Sequence, residues 1–334
     1  MADPLRPARV GERWVVRTRL PDGSATDRIG WVEAVAADTV VLSGVDGRST
    51  TIARSTVLAA RRAPAAAGGP DPGRVSAAEV ERHALPGWLA ESEPLGEWTL
   101  RAGGGFTGRA NSCHAVGDPG VPVADAAERI TAYATRHGIP PMAMVVTDST
   151  EEQALRRLGW VDTYVPVAVL VARLADVLGD RPAPGDVRVT EVLDDSWLAG
   201  YARSRPLPSD LAVVRRILDG RPPRAFAAVP GAESVVAVGR GHLHDTWLGV
   251  AAVWVDPEHR RKGRATAIMM ALGHWAARRG ARYAYVQVDR KNEAALRLYQ
   301  RLGFRPHHGY LYLEPSAEHN HSSALAQVTR SVGA

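Results

Sequence analysis

The 334-residue chain predicts an α+β protein: a small all-β unit first, then two mixed halves in which strands alternate with helices. Three observations carry this expectation. Short β-branched strands separated by turn residues fill positions 1–62, and a breaker-rich stretch from Ala63 to Gly73 follows them. Beyond that stretch, one pattern of strand, Asp, acidic helix start and Leu-Gly-aromatic occurs twice.

In the first unit, Trp14–Leu20, Ile29–Val35, Thr39–Leu42 and Ser49–Ile52 read as strands, with Pro21-Asp22-Gly23-Ser24, Ala36-Ala37-Asp38 and Asp46-Gly47 as turns. Strands this short and evenly spaced predict a small closed barrel, and the layout resembles an SH3-like barrel. Residues 63–75 are a linker by composition, rich in Pro, Gly and Ala with little to bury. Residues 76–180 form the next unit. It is helical at Val80–Leu89 and Ala124–Arg136 and strand-like at Trp98–Arg101, Met142–Val146 and Val165–Leu170. Residues 186–314 form the last unit. Residues 315–334 are poor in apolar side chains and predict a disordered tail. Its His319 and His321, with His307 and His308 nearby, lack the fixed spacing on ordered elements that a metal site needs, so no metal ligands are assigned.

The repeat pairs Val145–Trp160 with Gln287–Phe304, the first copy being three residues shorter between its Asp and its aromatic. Between the first unit and this copy lies Gly103-Gly104-Gly105-Phe106-Thr107-Gly108-Arg109-Ala110-Asn111-Ser112. Its three glycines with Arg109 suit an anion-binding nest. A tight turn bringing backbone toward the C-terminal half is an equal reading. A wall of an acceptor groove, with Arg109 and Asn111 touching substrate, is a third.

The most informative segment is in the last unit. Leu248–Val255 is apolar almost throughout, as a strand buried on both faces requires. Pro257, which has no N–H to donate, stops the ladder. Arg260 to Ala265 then reads Arg-x-x-Gly-x-Ala and opens a helix that continues through Ile268, Met269, Leu272 and Trp275. The first N–H groups of a helix have no intrahelical acceptor and carry the positive end of its dipole, so they suit a pyrophosphate. Gly263 lets phosphate approach the backbone, Ala265 avoids a clash, and Arg260, Arg261, Lys262 and Arg264 add positive charge.

Downstream, Arg282–Val288 reads as a strand and Asn292–Gly303 as a glycine-capped helix ending in Leu-Gly-Phe. Together the two segments resemble the acyl-coenzyme A signature of the GNAT N-acetyltransferases, over about Arg188 to Leu313. The fold implied is a mixed, mostly antiparallel sheet with flanking helices. The repeat makes it tandem, with a degenerate first half: no Arg-x-x-Gly-x-Ala turn follows a strand there, and Leu155 stands where the second copy has Tyr299. The whole organisation resembles the mycobacterial-type histone acetyltransferase group.

Site roles follow from the resemblance. Val253, Trp254 and Val255 would pair with pantetheine through free strand groups, and Arg260–Ala265 would cradle the pyrophosphate. Asn292 would bond the cofactor, and a helix N-cap is its plain alternative. Tyr299, seven residues later, would protonate the departing thiolate; a core tyrosine is the plain alternative. Relatives acting on ribosomal-protein termini carry a glutamate base five residues before the Asn, where this chain has Gln287, and an amide does not titrate. His242, His244, Asp245, Asp256, Glu258 and His259 are the nearby titratable groups, and the base stays unassigned.

A formal charge of +5 suits an anionic cofactor. The first 62 residues hold ten arginines against seven acids, too few for a dense nucleic-acid patch. The single Cys113 excludes an internal disulfide and a thiolate metal cluster, and reads as a small buried residue. Membrane spans need runs of about 18 apolar residues, which the chain lacks, and no secretory segment opens it, so a cytoplasmic protein without membrane contact is expected. The function implied is an acetyl-CoA-dependent N-acetyltransferase acting directly on a primary amine. That amine is a protein lysine of a basic DNA-associated protein, or a small molecule. The alternative is an acyl-CoA-binding regulatory module whose N-terminal barrel holds a partner or nucleic acid.

Overall fold

The computed structural model describes residues 3–316; the tail expected from Pro315 onward lies outside it but for its first two residues. The first unit has strands β1 (Arg13–Arg19), β2 (Ala25–Val35), β3 (Thr39–Ser43), β4 (Ser49–Ala53) and β5 (Val57–Ala63). They pair in the order β4-β3-β2-β1-β5. Alternation drives the packing: Trp14, Val16, Val40, Leu42 and Ile52 point inward with Leu5 to make one small core. The expectation of a closed barrel is corrected here, because β4 and β5 share no ladder among the described residues. Irregularities at Arg17/Thr18 and Val32/Ala34 curl the sheet, but a single turn, Arg54–Thr56, carries the chain from one outer strand to the other without pairing them.

The breaker-rich stretch is packed rather than loose. Ala66 and Trp31 are buried in the core of the C-terminal half, and a Cβ on Gly69 would lie 2.3 Å from the Tyr283 hydroxyl. Small residues that bury little on their own here allow close approach.

The middle half runs α1 (Ala77–Ala84), β6 (Glu91–Leu95), β7 (Trp98–Ala102), β8 (Cys113–His114), α2 (Val123–Arg136), β9 (Ala143–Val146), α3 (Thr150–Arg157), β10 (Trp160–Asp162), β11 (Val167–Arg173) and α4 (Leu174–Leu178). The helix expected to reach Leu89 tightens at Leu85 into a 3₁₀ turn, since Pro86 has no N–H for a further helical bond. The last half runs β12 (Arg188–Thr190), α5 (Asp195–Ala202), α6 (Leu211–Asp219), β13 (Arg224–Pro230), β14 (Val235–His244), β15 (Trp247–Val255), α7 (Arg264–Ala277), β16 (Tyr283–Asp289), α8 (Glu293–Arg301) and β17 (Arg305–Pro315).

Both halves share one sheet, β12-β13-β14-β15-β16-β11-β17-β9-β8-β7-β6, with β10 on β17. The two halves exchange their last strands. Strand β11 of the middle half pairs antiparallel with β16, and β17 of the C-terminal half pairs antiparallel with β9. The exchanged strands also pair with each other. Val169, Leu170, Val171, Leu311 and Leu313 are buried there, and each such side chain removed from water is worth about 1.5–3 kcal/mol. The ladders between the halves therefore lie inside the core.

Candidate active site

Strands β15 and β16 run parallel from Trp247 and Tyr283 to Val250 and Val286. Beyond that point they part. Ala252 sits in the left-handed region at φ 55°, beside a register shift against β14, so β15 is bulged. Strand β16 instead stays with β11, Gln287 opposite Val169. Trp254 and Val255 keep their β14 partners, Val238 and Ala237, while no strand pairs with their other edge among the described residues. Such an edge can pair with an extended ligand.

The chain then turns. The buried Asp256 accepts from the Glu258 N–H at 3.0 Å and pairs with Arg203, so its carboxylate holds the turn together. Arg261 (φ 60°) and Gly263 (φ 75°) are left-handed, the alternation that gathers backbone N–H groups into a concave nest. Gly263 caps α7 without any side-chain bond to the first turn, which leaves the positive end of the helix free. A Cβ there would meet nothing within 4 Å, so glycine answers the backbone angle and the space beside it is open.

That space is a cavity of about 760 Å³. Val253, Trp254 and Val255 form one wall, and Arg260, Arg261, Gly263, Arg264 and Ala265 form its end. Asn292 and Tyr299 close it from the α8 side. Lys262 is not on its wall. The Arg264 guanidinium pairs with Asp186, and Arg260 Nε donates to the Val255 carbonyl at 3.2 Å. Asn292 is the N-cap of α8, accepting from the Ala295 N–H at 3.1 Å, and lines the cavity as well.

A second cavity, about 480 Å³, adjoins the first and shares Val253, Asn292, Ala295 and Tyr299 with it. The middle half supplies Trp88, Thr107, Gly108, Arg109 and Tyr164, and the C-terminal half supplies Tyr201, Arg205, Gln287 and Asp289. Tyr299 thus stands on the wall common to both. It is 7% exposed, edge-on to Phe304 at 5.9 Å, and burial pushes its hydroxyl up to about 12. It keeps its proton at neutral pH.

Behind the second cavity lies a network that sequence reasoning missed. Glu81 of α1 is 1% exposed, with His308 Nε2 at 3.1 Å and His114 Nε2 at 3.7 Å. Gln287 Nε2 lies 3.3 Å from it. Burial alone would raise this carboxyl, but His114 and His308 hold it down at about 2. The Gln287 side-chain oxygen accepts from Arg109 Nε at 2.9 Å, and Arg109 also donates to the Tyr310 hydroxyl at 2.8 Å. Despite the burial of Arg109, the neighbouring Tyr310, Tyr312 and Glu81 raise its pKa further. Ala77, Val80 and Ala84 surround Glu81 at helical spacing, so an acid on an apolar stripe was the available signal.

All six titratable groups considered from sequence fall outside both cavities. His242 is buried and pushed down to about 3, chiefly by burial. His244 and Asp245 sit at the far end of β15, and Glu258 and His259 belong to the turn held by Asp256. Asp289, on β16 two residues after Gln287, is the one carboxylate on the second cavity's wall among the described residues.

The glycine-rich loop resolves as a turn. Asn111 Oδ1 accepts from the N–H groups of Gly103 and Gly105, both at 2.8 Å, which occupies the donors an anion would need. A Cβ on Gly103 would come within 2.6 Å of Ile217, so the loop abuts α6. Asn111 is buried in this structural role and is not on the groove, whereas Arg109 is. Burial pushes the Cys113 thiol up to about 12, so it is no nucleophile. In the middle half, α2 has Pro122 as N-cap and Asp125 in its first turn, which disfavours an anion at that helix start.

Comparison with known proteins agrees with this geometry. A family model described as "Probable histone acetyltransferase Rv0428c C-terminal" matches residues 76–313. The "Probable histone acetyltransferase Rv0428c" of Mycobacterium tuberculosis is 31% identical over 327 residues, covering 91% of this chain and 95% of that protein. The "Uncharacterized N-acetyltransferase YobR" of Bacillus subtilis is 28% identical over 242 residues, covering 68% of this chain and 94% of its own. Among solved structures, a GCN5-related N-acetyltransferase from Kribbella flavida superposes with a TM-score of 0.54 at 18% identity, over 73% of this chain and 97% of that one, and so shares the fold. A splayed parallel strand pair, an uncapped helix start after it, and a family match across both halves converge on one assignment: the chain belongs to the Rv0428c-type family of GNAT acetyltransferases.

Proposed function

We propose that this acetyltransferase uses acetyl-CoA and transfers the acetyl group directly to a primary amine seated in the second cavity. The observation that carries this reading is the position of Tyr299 on the wall shared by both cavities. Acetyl-CoA would supply the thioester carbon that the amine attacks. The nest at Arg260–Ala265 would hold the pyrophosphate, and the unpaired edge of Val253–Val255 would align the pantetheine. As the new C–N bond forms and the C–S bond breaks, Tyr299 gives its hydroxyl proton to sulfur. Asp289 takes the proton released by the amine, directly or through one water, because it is the carboxylate on that wall.

The acceptor is a lysine side chain of a protein. The aromatic rings of Tyr164 and Tyr201 suit the long apolar stem of a lysine, and the mycobacterial relative carries the name of a histone acetyltransferase. The N-terminal five-stranded unit serves as a support for the C-terminal half through Trp31. No helix among the described residues is long and apolar enough to cross a membrane, and a cytoplasmic site of action fits this composition.

Calorimetric titration with acetyl-CoA, on the wild type and Gly263→Asp, tests the first part. Binding by the wild type and its loss in the variant are expected. Thiol release from the same samples, with basic proteins and small amines as acceptors, tests the second. Release with small amines alone would overturn the lysine assignment, and Asp289→Asn with undiminished turnover would remove that residue as base.

A further inference from the structure

We infer that His83, His244 and Asp245 form a site for one divalent transition-metal ion of the zinc class, joining the middle half to the C-terminal half. His83 lies near the end of α1, His244 ends β14, and Asp245 follows it in the turn before β15. His83 Nδ1 is 3.1 Å from His244 Nδ1. Asp245 Oδ2 is 3.6 Å from the first nitrogen and 3.7 Å from the second. A tetrahedral zinc ion with bonds of about 2.0–2.2 Å sets its ligand atoms about 3.3–3.6 Å apart, so the three separations bracket what one ion requires.

A hydrogen bond between the two rings explains less. Two Nδ1 atoms can share a single proton, which accounts for the 3.1 Å approach, yet it leaves the carboxylate beyond hydrogen-bond reach of either ring. One cation at the common point would serve all three groups once the two nitrogens move slightly apart and the carboxylate slightly closer. Two imidazoles with one carboxylate is a donor set that borderline metals accept, and it leaves a fourth position for water.

The surroundings fit a bound ion. The His83 ring stacks on Trp247 at 5.5 Å and 21°, which fixes its direction. The side chains of His83, His244 and Asp245 are 15%, 39% and 69% exposed, a gradient that gives an ion a route in from solvent. Trp247 lies at the paired end of β15 and Val253–Val255 at its splayed end, so the ion would not touch either cavity. Its effect would be structural. It would clamp α1, which carries Glu81 two residues before His83, to the β14–β15 turn.

The test uses the full chain without a histidine tag, freed of metal by chelation. Zinc ions alone are titrated by calorimetry, and cobalt(II) by its visible absorption. One ion per chain is expected, with a tetrahedral cobalt spectrum and a thermal midpoint raised by about 4 °C at a hundredfold excess over the dissociation constant. Asp245→Asn should weaken binding at least tenfold, and His83→Ala with His244→Ala at least a hundredfold. Asp245 is exposed, so its variant decides the matter even where the double variant folds poorly. Wild-type protein that takes up no zinc at micromolar concentrations would overturn the inference. So would equal affinity in wild type and Asp245→Asn, which would place the ion elsewhere.

Discussion

Arg109 of the middle half donates to the side-chain oxygen of Gln287 in the C-terminal half at 2.9 Å, and the Gln287 amide in turn faces Glu81 at 3.3 Å. Gln287 therefore needs both an acceptor and a donor, which a carboxylate in its place could not provide.

Gln287→Glu would set a second carboxylate against the buried Glu81. Like charges at this distance disfavour each other, so one of the two must bind a proton or lose its partners. The expected result is a loss of about 1–3 kcal/mol in stability, read by urea denaturation, with no gain in acetyl transfer. A more stable and faster variant would contradict the arrangement described.

Tyr299→Phe keeps the edge contact with Phe304 and removes only the hydroxyl. Acetyl-CoA affinity should stay within twofold of wild type, while kcat falls by a factor on the order of 10²–10⁴, the usual span for a lost general acid. Unchanged kcat would remove Tyr299 from the chemistry.

Gly263→Ala separates backbone strain from space. A Cβ there meets nothing within 4 Å, so the cost comes from the φ of 75°, about 1–2 kcal/mol for a non-glycine residue. Thermal melting should register that loss, and calorimetry should show weaker acetyl-CoA binding as the nest relaxes. A variant equal to wild type in both would mean the turn tolerates the left-handed angle without glycine.

Acid should destabilise the protein through Glu81. Its folded-state pKa, about 2, lies below the ordinary value of 4.5, so its contribution is full above pH 4.5 and is lost as pH falls toward 2. The amount is on the order of 3 kcal/mol. Glu81→Gln should be less stable than wild type at neutral pH, and the difference should shrink across that window. Parallel stability curves for the two proteins would show that Glu81 does not titrate as described.

Local chemistry was legible in the chain. Pro257, the left-handed Gly263 and the N-cap at Asn292 act over one or two turns, so a strand end, a basic turn and a helix start could be read from adjacent residues. The repeat was legible for the same reason. The barrel expectation failed at closure, because whether β4 meets β5 depends on curvature accumulated over five strands and not on any one of them.

What the sequence by itself determined is therefore the short all-β unit, the basic turn between a strand and a helix, and the repeated strand–helix pattern. Each follows from residue type at short spacing. Tertiary structure alone decided that β11 and β17 change places between the halves, that Glu81 and Arg109 of the middle half meet Gln287, and that Asn111 braces a loop and does not line the groove. Glu81 and Gln287 lie 206 positions apart. Burial of both halves in one sheet brings such residues together, and a buried carboxylate then persists because its new neighbours supply the donors that water no longer can.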